Sequence, residues 1–469
     1  MILIKDEDMT LKYDLVVIGS GPAGQSGAEL AAFFGRRVVI VEKNKPGGVV
    51  TTTGGAPTKT LRESMLAMTG FYNREVYGIT MATAPQVVVE KIVERTRRVV
   101  ELLQNETAQE LAKNNVEYLE GTAKIGSNRT VIVTDSSRQE HVLSADVILV
   151  ATGSMPLRPK NIPFDDPDVW DSDTFPSRGR LPQNLFIVGG GPVGVEFATV
   201  FAGLGVKTAV SDLADRLIQT MDVEMSKLLT EYFQRIGVDL ILGAGTKTIA
   251  RVEGKLEVTL TNGRVLHPDA VLFVAGRMVN TETLGLQAAG VEVDERGRIK
   301  VDQHYRTTAD GIYAAGDVIG PTLASVAMEQ GRVAICKAFG IKLKGVVDPM
   351  PVSAVYSMPE VAGVGLTEEQ CRSQGLDYET GRCDLSLLPR GAIAGHGGML
   401  KLIFNKKDRR LLGVHCFGDI ASEIVGIGQM VMHFGGTIDA FVEVTLNTPT
   451  YTYAYKYATA DGVRKMARQ

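Results

Sequence analysis

The sequence predicts an α/β protein: two Rossmann-like nucleotide-binding domains with β-meander crossovers, followed by a C-terminal α+β module. Three observations predict it. A unit of strand, G-x-G-x-x-G, helix, strand and acid opens the chain, and a second copy begins at Leu185. Each copy is then followed by hairpin signals and one more short apolar strand. At 469 residues the chain has room for ~3 domains.

In the first unit, residues 13–18 (YDLVVI) are an apolar run next to glycine and read as a buried parallel strand. GSGPAG follows at 19–24, then a helix over 25–34, then a strand over 38–41 ending at Glu42. An acid about 20 residues beyond the fingerprint is the spacing of a dinucleotide-binding unit. The glycines permit a tight turn and close approach to a pyrophosphate, whose oxygens the helix N-terminus attracts. Glu42 would accept hydrogen bonds from ribose hydroxyls.

The second unit repeats the pattern. A strand over 185–188 leads into GGGPVG at 189–194, a helix carries Glu196 through Phe201, and the next strand ends near Asp212. One fingerprint alone is weak evidence; two copies in full context are strong. Downstream of the first unit, 130–133 and 140–143 suggest a hairpin, and 147–150 a strand entering ATGS. Downstream of the second, 256–260, the Asn262-Gly263 turn signal and Val265 suggest another hairpin, and 271–274 leads into AGR. GIYAAGD at 311–317 is a third glycine–acid signal, whose Asp317 could bind a ribityl or ribose hydroxyl; alone it reads as an ordinary turn. The last ~120 residues alternate strands at 400–404 and 411–416 with a helix-like stretch over 420–432, an α+β pattern.

Charged residues at 22% and hydrophobic residues at 44% fit a globular protein. A net charge of −4 leaves no basic footprint for nucleic acid. No apolar run approaches the ~18–20 residues that span a bilayer. The N-terminus, MILIKDEDMTLKYD, carries acids where a signal peptide needs a basic region, so a cytoplasmic location is the default expectation. Cys336, Cys371, Cys383 and Cys416 form no C-x-x-C pair, and the six histidines show no metal-ligand spacing, so no metal site is expected.

These motifs, in this order, resemble the two-dinucleotide-binding-domain flavoproteins, the class I pyridine nucleotide-disulfide oxidoreductases. That family includes lipoamide dehydrogenase, glutathione reductase, mercuric reductase and the soluble pyridine nucleotide transhydrogenase. The resemblance spans essentially the whole chain. It implies FAD at Gly19, Gly21, Pro22, Ala23, Gly24, Glu42, Ala151, Thr152, Gly153, Gly316 and Asp317. It implies NAD(P) at Gly189, Gly191 and Gly194, and further cofactor contacts at Lys43, Gly48, Gly276, Leu323 and Ala324. The implied organisation is a discontinuous FAD domain over 1–155 and 276–345, an NAD(P) domain over 156–275, and a dimerisation domain over 346–469, hence a homodimer. Lys59 matches the family lysine beside flavin N5, and Glu196 its carboxylate partner. Such a lysine stabilises negative charge on reduced flavin, and the carboxylate keeps it charged despite desolvation. Without the resemblance, both read as solvated helix charges.

Two departures bear on the reaction. GGVVTTTGGAPTK at 47–59 looks like the signature GGxCxxxxCxxPxK, but Val50 and Gly55 hold the cysteine positions. LNTPTYTYAY at 446–455 matches the family's His-Pro-Thr and the following glutamate, but Thr448 and Tyr453 stand there. The expectation is an FAD-dependent NAD(P)H oxidoreductase without disulfide reductase activity. It is most similar to the soluble transhydrogenase branch, which also breaks the cysteine pair. An NADH-preferring quinone or dye reductase is the alternative, or a catalytically weak flavoprotein scaffold. Asp212 favours NADH, because a carboxylate there repels a 2′-phosphate. Ser211, Leu213 and Ala214 offer no arginine clamp unless Arg216 turns toward it, and Asp212 could instead cap a turn. Gly55 could open a slot for a small-molecule acceptor, and Thr51, Thr52 and Thr53 read as capping or lining hydroxyls.

Overall fold

The computed structural model describes residues 11–70, 76, 78, 85–175 and 180–468. Apart from 11–14, the acidic stretch weighed against a signal peptide lies outside them. The chain forms two compact units. One comprises Met1–Thr60, Glu94–Leu157 and Gly276–Asp348, the other Leu61–Val93, Arg158–Ala275 and Pro349–Gln469.

In the first unit, Glu117–Glu120, Val38–Glu42, Leu11–Ile18, Glu140–Val150 and Ile312–Ala314 run parallel in that order. Residues 15–18, the second half of Leu11–Ile18, are apolar on both faces because both are covered. Val16 and Ile18 join one core, Leu15 and Val17 the other. Thr130–Thr134 and Thr122–Ile125 extend antiparallel from Glu140–Val150 and make the meander. The two strands expected at 140–143 and 147–150 are one strand of 11 residues. Ser144-Ala145-Asp146 contains neither glycine nor proline to break it. Its first residues pair with the meander, its last with Ile312–Ala314.

The helices Pro22–Phe33 and Ala324–Ala338 pack on one face of this sheet. Glycine sets their separation: a Cβ on Gly331 would stand 2.1 Å from the Ala23 carbonyl oxygen.

In the second unit, Asp239–Leu242, Lys207–Asp212, Asn184–Val188, Ala270–Phe273 and Val169–Trp170 form a parallel sheet in that order. Thr246–Val252, Lys255–Leu260 and Val265–Leu266 form the second meander, turning at Asn262-Gly263 as the sequence suggests. Leu61 and Ile92 belong here because they enter the core around Trp170, Phe197 and Phe201.

The C-terminal residues of this unit build an antiparallel sheet ordered Ser353–Val355, Glu360–Gly365, Leu411–Gly418, Met399–Asn405 and Tyr378–Asp384. The helices Ala421–His433 and Ala454–Met466 share its core through Ile424, Val425, Tyr455 and Ala458. Lys401 on this sheet is 1% exposed. Its ammonium lies 2.9 Å from Asp222, 3.0 Å from Glu224 and 2.6 Å from Glu368. Asp222 is also the N-cap of the helix Val223–Arg235. Met358-Pro359 and Thr448-Pro449 are cis.

Candidate functional site

The first fingerprint is a cradle assembled by contacts that exclude side chains. Gly19 sits at φ +103°, where a Cβ would meet the Ala151 carbonyl oxygen at 2.4 Å. A Cβ on Gly24 would meet the Gly19 carbonyl oxygen at 2.0 Å, and one on Gly48 the Gly21 Cα at 2.7 Å. Gly21 caps the helix without a side chain, and Pro22 starts it, so the first-turn N–H groups remain for a ligand. Ala23 is buried against the returning helix, while Lys43 is exposed.

Glu42 works inward. Its Oε2 accepts from the Ser20 N–H and hydroxyl, both at 2.9 Å, and its Oε1 from the Asn44 N–H. Ala151 donates to Ile18 O. The Thr152 hydroxyl donates to Asn280 O, and Asn280 Nδ2 donates back to Thr152 O. Asn280 N also donates to Gly153 O.

The third glycine–acid signal joins the same unit. Gly316 N donates to Gln330, and the Asp317 carboxylate accepts from the Ser154 hydroxyl at 2.6 Å and Thr322 N at 3.0 Å. Leu323 is the N-cap of Ala324–Ala338, again with no side-chain cap. Asp317 is thus built in, not an ordinary turn acid. Sequence reading missed Asn280, Gln330 and Arg277, whose guanidinium donates to the Ser154 hydroxyl and carbonyl. Arg277 had one available signal, its place in AGR after an apolar strand.

The second fingerprint repeats the geometry. A Cβ on Gly194 would meet the Gly189 carbonyl oxygen at 1.8 Å, and Gly191 caps Pro192–Gly203 without a side chain. Asp212 Oδ2 accepts from Gly190 N at 2.5 Å and Oδ1 from Ala214 N at 2.8 Å. The residue ends its strand as expected and also caps the following turn. Leu213 beside it is 76% exposed. Arg216 does not turn toward Asp212: its guanidinium holds Glu369 through two nitrogens, at 2.9 and 3.0 Å. Gly276 sits at φ +151°, and its carbonyl accepts from Leu157 N.

Val50 lies in the short helix Gly48–Thr52, and Gly55 packs on it. Thr52 bonds back to the Gly48 carbonyl, the capping behaviour expected, and Thr51 is buried. The Thr53 hydroxyl is buried with no partner, an acceptor-and-donor left for a bound polar group. Together with the side-chain-free cradle, it fits FAD. Lys59 lies on the helix Ala56–Thr69, its ammonium 3.3 Å from the Thr58 hydroxyl. Glu196 is buried on its own helix and accepts from Tyr356 N at 2.9 Å. Burial, then the charges of Glu360 and Glu196, push the Tyr356 hydroxyl up.

All four cysteines are free and buried. Burial pushes the Cys383 thiol up to about 12 and Cys416 higher still, so neither offers a thiolate near neutral pH. Among the described residues, no group of His, Cys, Asp and Glu is arranged to hold a metal ion.

The family described as pyridine nucleotide-disulphide oxidoreductase matches residues 13–331, and its dimerisation domain matches 351–459. The soluble pyridine nucleotide transhydrogenase of Mycobacterium tuberculosis (strain ATCC 25177 / H37Ra) is 39% identical over 459 residues, covering 97% of this chain and 98% of its own. That of Pseudomonas aeruginosa (strain LESB58) is 35% identical over 471 residues, covering 97% and 99%. Among solved structures, the HOCl-induced flavoprotein disulfide reductase RclA from Escherichia coli matches with a TM-score of 0.86 at 28% identity, covering 96% and 99%. LpdA from Mycobacterium tuberculosis matches with a TM-score of 0.87 at 26% identity and the same coverage.

Proposed function

We propose, from the premise that this chain belongs to the pyridine nucleotide-disulphide oxidoreductase family, that it moves hydride from NADH to a non-disulfide acceptor, as a soluble transhydrogenase does. The chain is an FAD-dependent NAD(P)H oxidoreductase by family. FAD, when bound, supplies the two-electron relay between a reduced nicotinamide and the next acceptor. The protein supplies the rest. Two glycine cradles with acid-anchored loops accept dinucleotides, and Lys59 and Glu196 keep the roles the resemblance assigns them.

The observation that carries the non-disulfide reading is the pairing of Val50 with Gly55 at the dithiol positions. The preference for NADH is supported by Asp212 at the strand end, the exposed Leu213 beside it and the engagement of Arg216 by Glu369. That same preference favours a second reading, an NADH-dependent quinone reductase, since a transhydrogenase must accept both nicotinamides. The dimerisation domain supports a homodimer. No helix among the described residues is long and apolar enough to cross a membrane; the cytoplasmic location we propose is supported by the similarity to soluble transhydrogenases.

The test is anaerobic reduction of the holoenzyme by NADH and NADPH separately, followed by reoxidation with a nicotinamide analogue, a benzoquinone or oxygen. Faster reduction by NADH and reoxidation by the nicotinamide analogue are expected. Reoxidation by quinone alone selects the second reading. Turnover of lipoamide or oxidised glutathione above the free-flavin background overturns both.

A further inference from the structure

The second fingerprint borders an arginine that is held away from it. Residues 213–218 follow the end of the Lys207–Asp212 strand and are pinned on both sides. Ala214 N donates to Asp212 Oδ1 at 2.8 Å, and Ile218 N donates to the Gly190 carbonyl oxygen at 2.9 Å. Leu217 is fully buried and fills the space over Gly190, where a Cβ would meet its Cδ2 at 2.9 Å. The Arg216 backbone is therefore fixed between the strand end and the fingerprint loop. Only its side chain is left to choose a direction.

That direction is set from the C-terminal residues of the same unit. Glu369 stands on the short helix Glu368–Ser373, which Thr367 caps through a capping box with Gln370. Its neighbour Glu368 is taken by Lys401 at 2.6 Å, while Glu369 turns to Arg216. Two guanidinium nitrogens meet the two carboxylate oxygens, at 2.9 and 3.0 Å, and Nη2 also donates to Gln219 O at 3.0 Å. The third nitrogen, Nε, is buried with no partner among the described residues, so this seat leaves one donor unsatisfied. The Glu369 hydrogen bonds raise the Arg216 pKa against burial, and the charges of Glu369, Asp215 and Asp222 add to the rise. The two side chains are 25% and 43% exposed. An ion pair in contact with water is weak enough to exchange one anion for another.

A 2′-phosphate is the anion that such an exchange would admit. It sits on the adenine ribose, which the strand-end acid of a dinucleotide unit reads. It carries more charge and more acceptor oxygens than a carboxylate, and a guanidinium binds it in the same bidentate way. We propose that Arg216 is the 2′-phosphate ligand of the second dinucleotide site, and that Glu369 competes with the phosphate for it. With the pair closed, Asp212 meets the adenine ribose uncompensated and the site favours NADH. With the guanidinium turned to the phosphate, it offsets the Asp212 repulsion and the same site takes NADPH. Glu369 is thus a positioning residue for nicotinamide choice, acting through Arg216 across 153 residues of chain. This rests on the reading of the second unit as an NADH-preferring site. It also accounts for how a chain with Asp212 serves a reaction that must accept both nicotinamides.

The test uses the Glu369→Gln holoenzyme, with and without Arg216→Met. Dissociation constants are measured for adenosine 2′,5′-bisphosphate and for adenosine 5′-monophosphate, each displaced by NADH. The two probes differ only in the 2′-phosphate, so the monophosphate controls for folding of the site. Glu369→Gln is expected to tighten the bisphosphate about tenfold and to leave the monophosphate within about twofold. The KM for NADPH should fall with it, at unchanged KM for NADH. Adding Arg216→Met is expected to abolish the gain. A bisphosphate affinity that Glu369→Gln does not move, or equal changes for both probes, overturns the proposal and leaves the NADH preference standing. A gain that survives Arg216→Met also overturns it, since removal of a nearby charge then suffices. Unmutated protein that binds the bisphosphate as tightly as the monophosphate overturns the preference and the proposal together.

Discussion

Gly55 lies against Val50 so closely that a Cβ at 55 would stand 2.4 Å from the Val50 carbonyl oxygen and 2.8 Å from its Cα. The two positions where a dithiol would sit are occupied by each other. Restoring cysteines therefore does not restore a disulfide site by itself. Val50→Cys/Gly55→Cys is expected to give no lipoamide reduction above the free-flavin background. Gly55→Cys alone is expected to cost about 1–3 kcal/mol through overpacking. Thermal unfolding and a lipoamide assay check both.

Nicotinamide choice is expected to follow the end of the Lys207–Asp212 strand. Asp212→Ala with Leu213→Arg removes the repelling carboxylate and adds a guanidinium at an exposed position. The ratio of kcat/KM for NADH over NADPH should fall by about tenfold or more, a change of roughly 1.4 kcal/mol. Loss of the Asp212 bond to Gly190 N should also raise KM for NADH. Steady-state kinetics with both nucleotides measure each effect, and an unchanged ratio sinks the assignment.

Lys401 is the charge on which the buried acids depend. Replacing it with Met leaves Asp222, 0% exposed, without its ammonium. That is expected to cost about 3–5 kcal/mol in urea unfolding. Burial pushes the Asp222 carboxyl up, but the charges of His415 and Lys401 and the lysine hydrogen bond outweigh it, leaving it below the ordinary carboxylate range. A carboxyl lowered in the folded chain contributes stability that is fully present above its unfolded value near ~4 and is lost as pH falls through the folded one. The urea midpoint of the unmutated protein should therefore drop below about pH 4. Lys401→Met should show a shallower drop, since burial then dominates at Asp222.

Gly331→Ala tests the close approach of the two FAD-side helices. Its Cβ would fall 2.1 Å from the Ala23 oxygen, so one helix must shift. A loss of about 1–3 kcal/mol is expected, together with weaker FAD retention, because Ala23 is part of the cradle. Differential scanning fluorimetry and flavin release on gel filtration read the two consequences.

Much of the fold was legible because its glycines answer to local backbone geometry. Gly24 packs on the Gly19 oxygen and Gly194 on the Gly189 oxygen, and both relationships close within five residues of chain. The Asn262-Gly263 hairpin is legible for the same reason. What was not legible depends on chain that folding brings together. Thr152 pairs with Asn280 across 128 residues, and Lys401 with Asp222 across 179. No spacing rule anticipates such partners. The division of Glu140–Val150 into two strands failed differently. A change of pairing partner along one strand leaves no mark in its hydrophobic pattern.

Ser20 and Glu42 are separated by 22 residues, and so are Gly190 and Asp212. In each half the terminal acid of one strand grips the N–H of the second loop residue, so the loop takes its shape when the chain folds and not when a dinucleotide arrives. The conformational cost of ordering each loop is thus met by folding free energy, and binding is spared it. Each half is a closed cassette whose readiness depends on one carboxylate. A change to either acid would be felt first as slower capture and faster release of its own dinucleotide, with the other half keeping its grip.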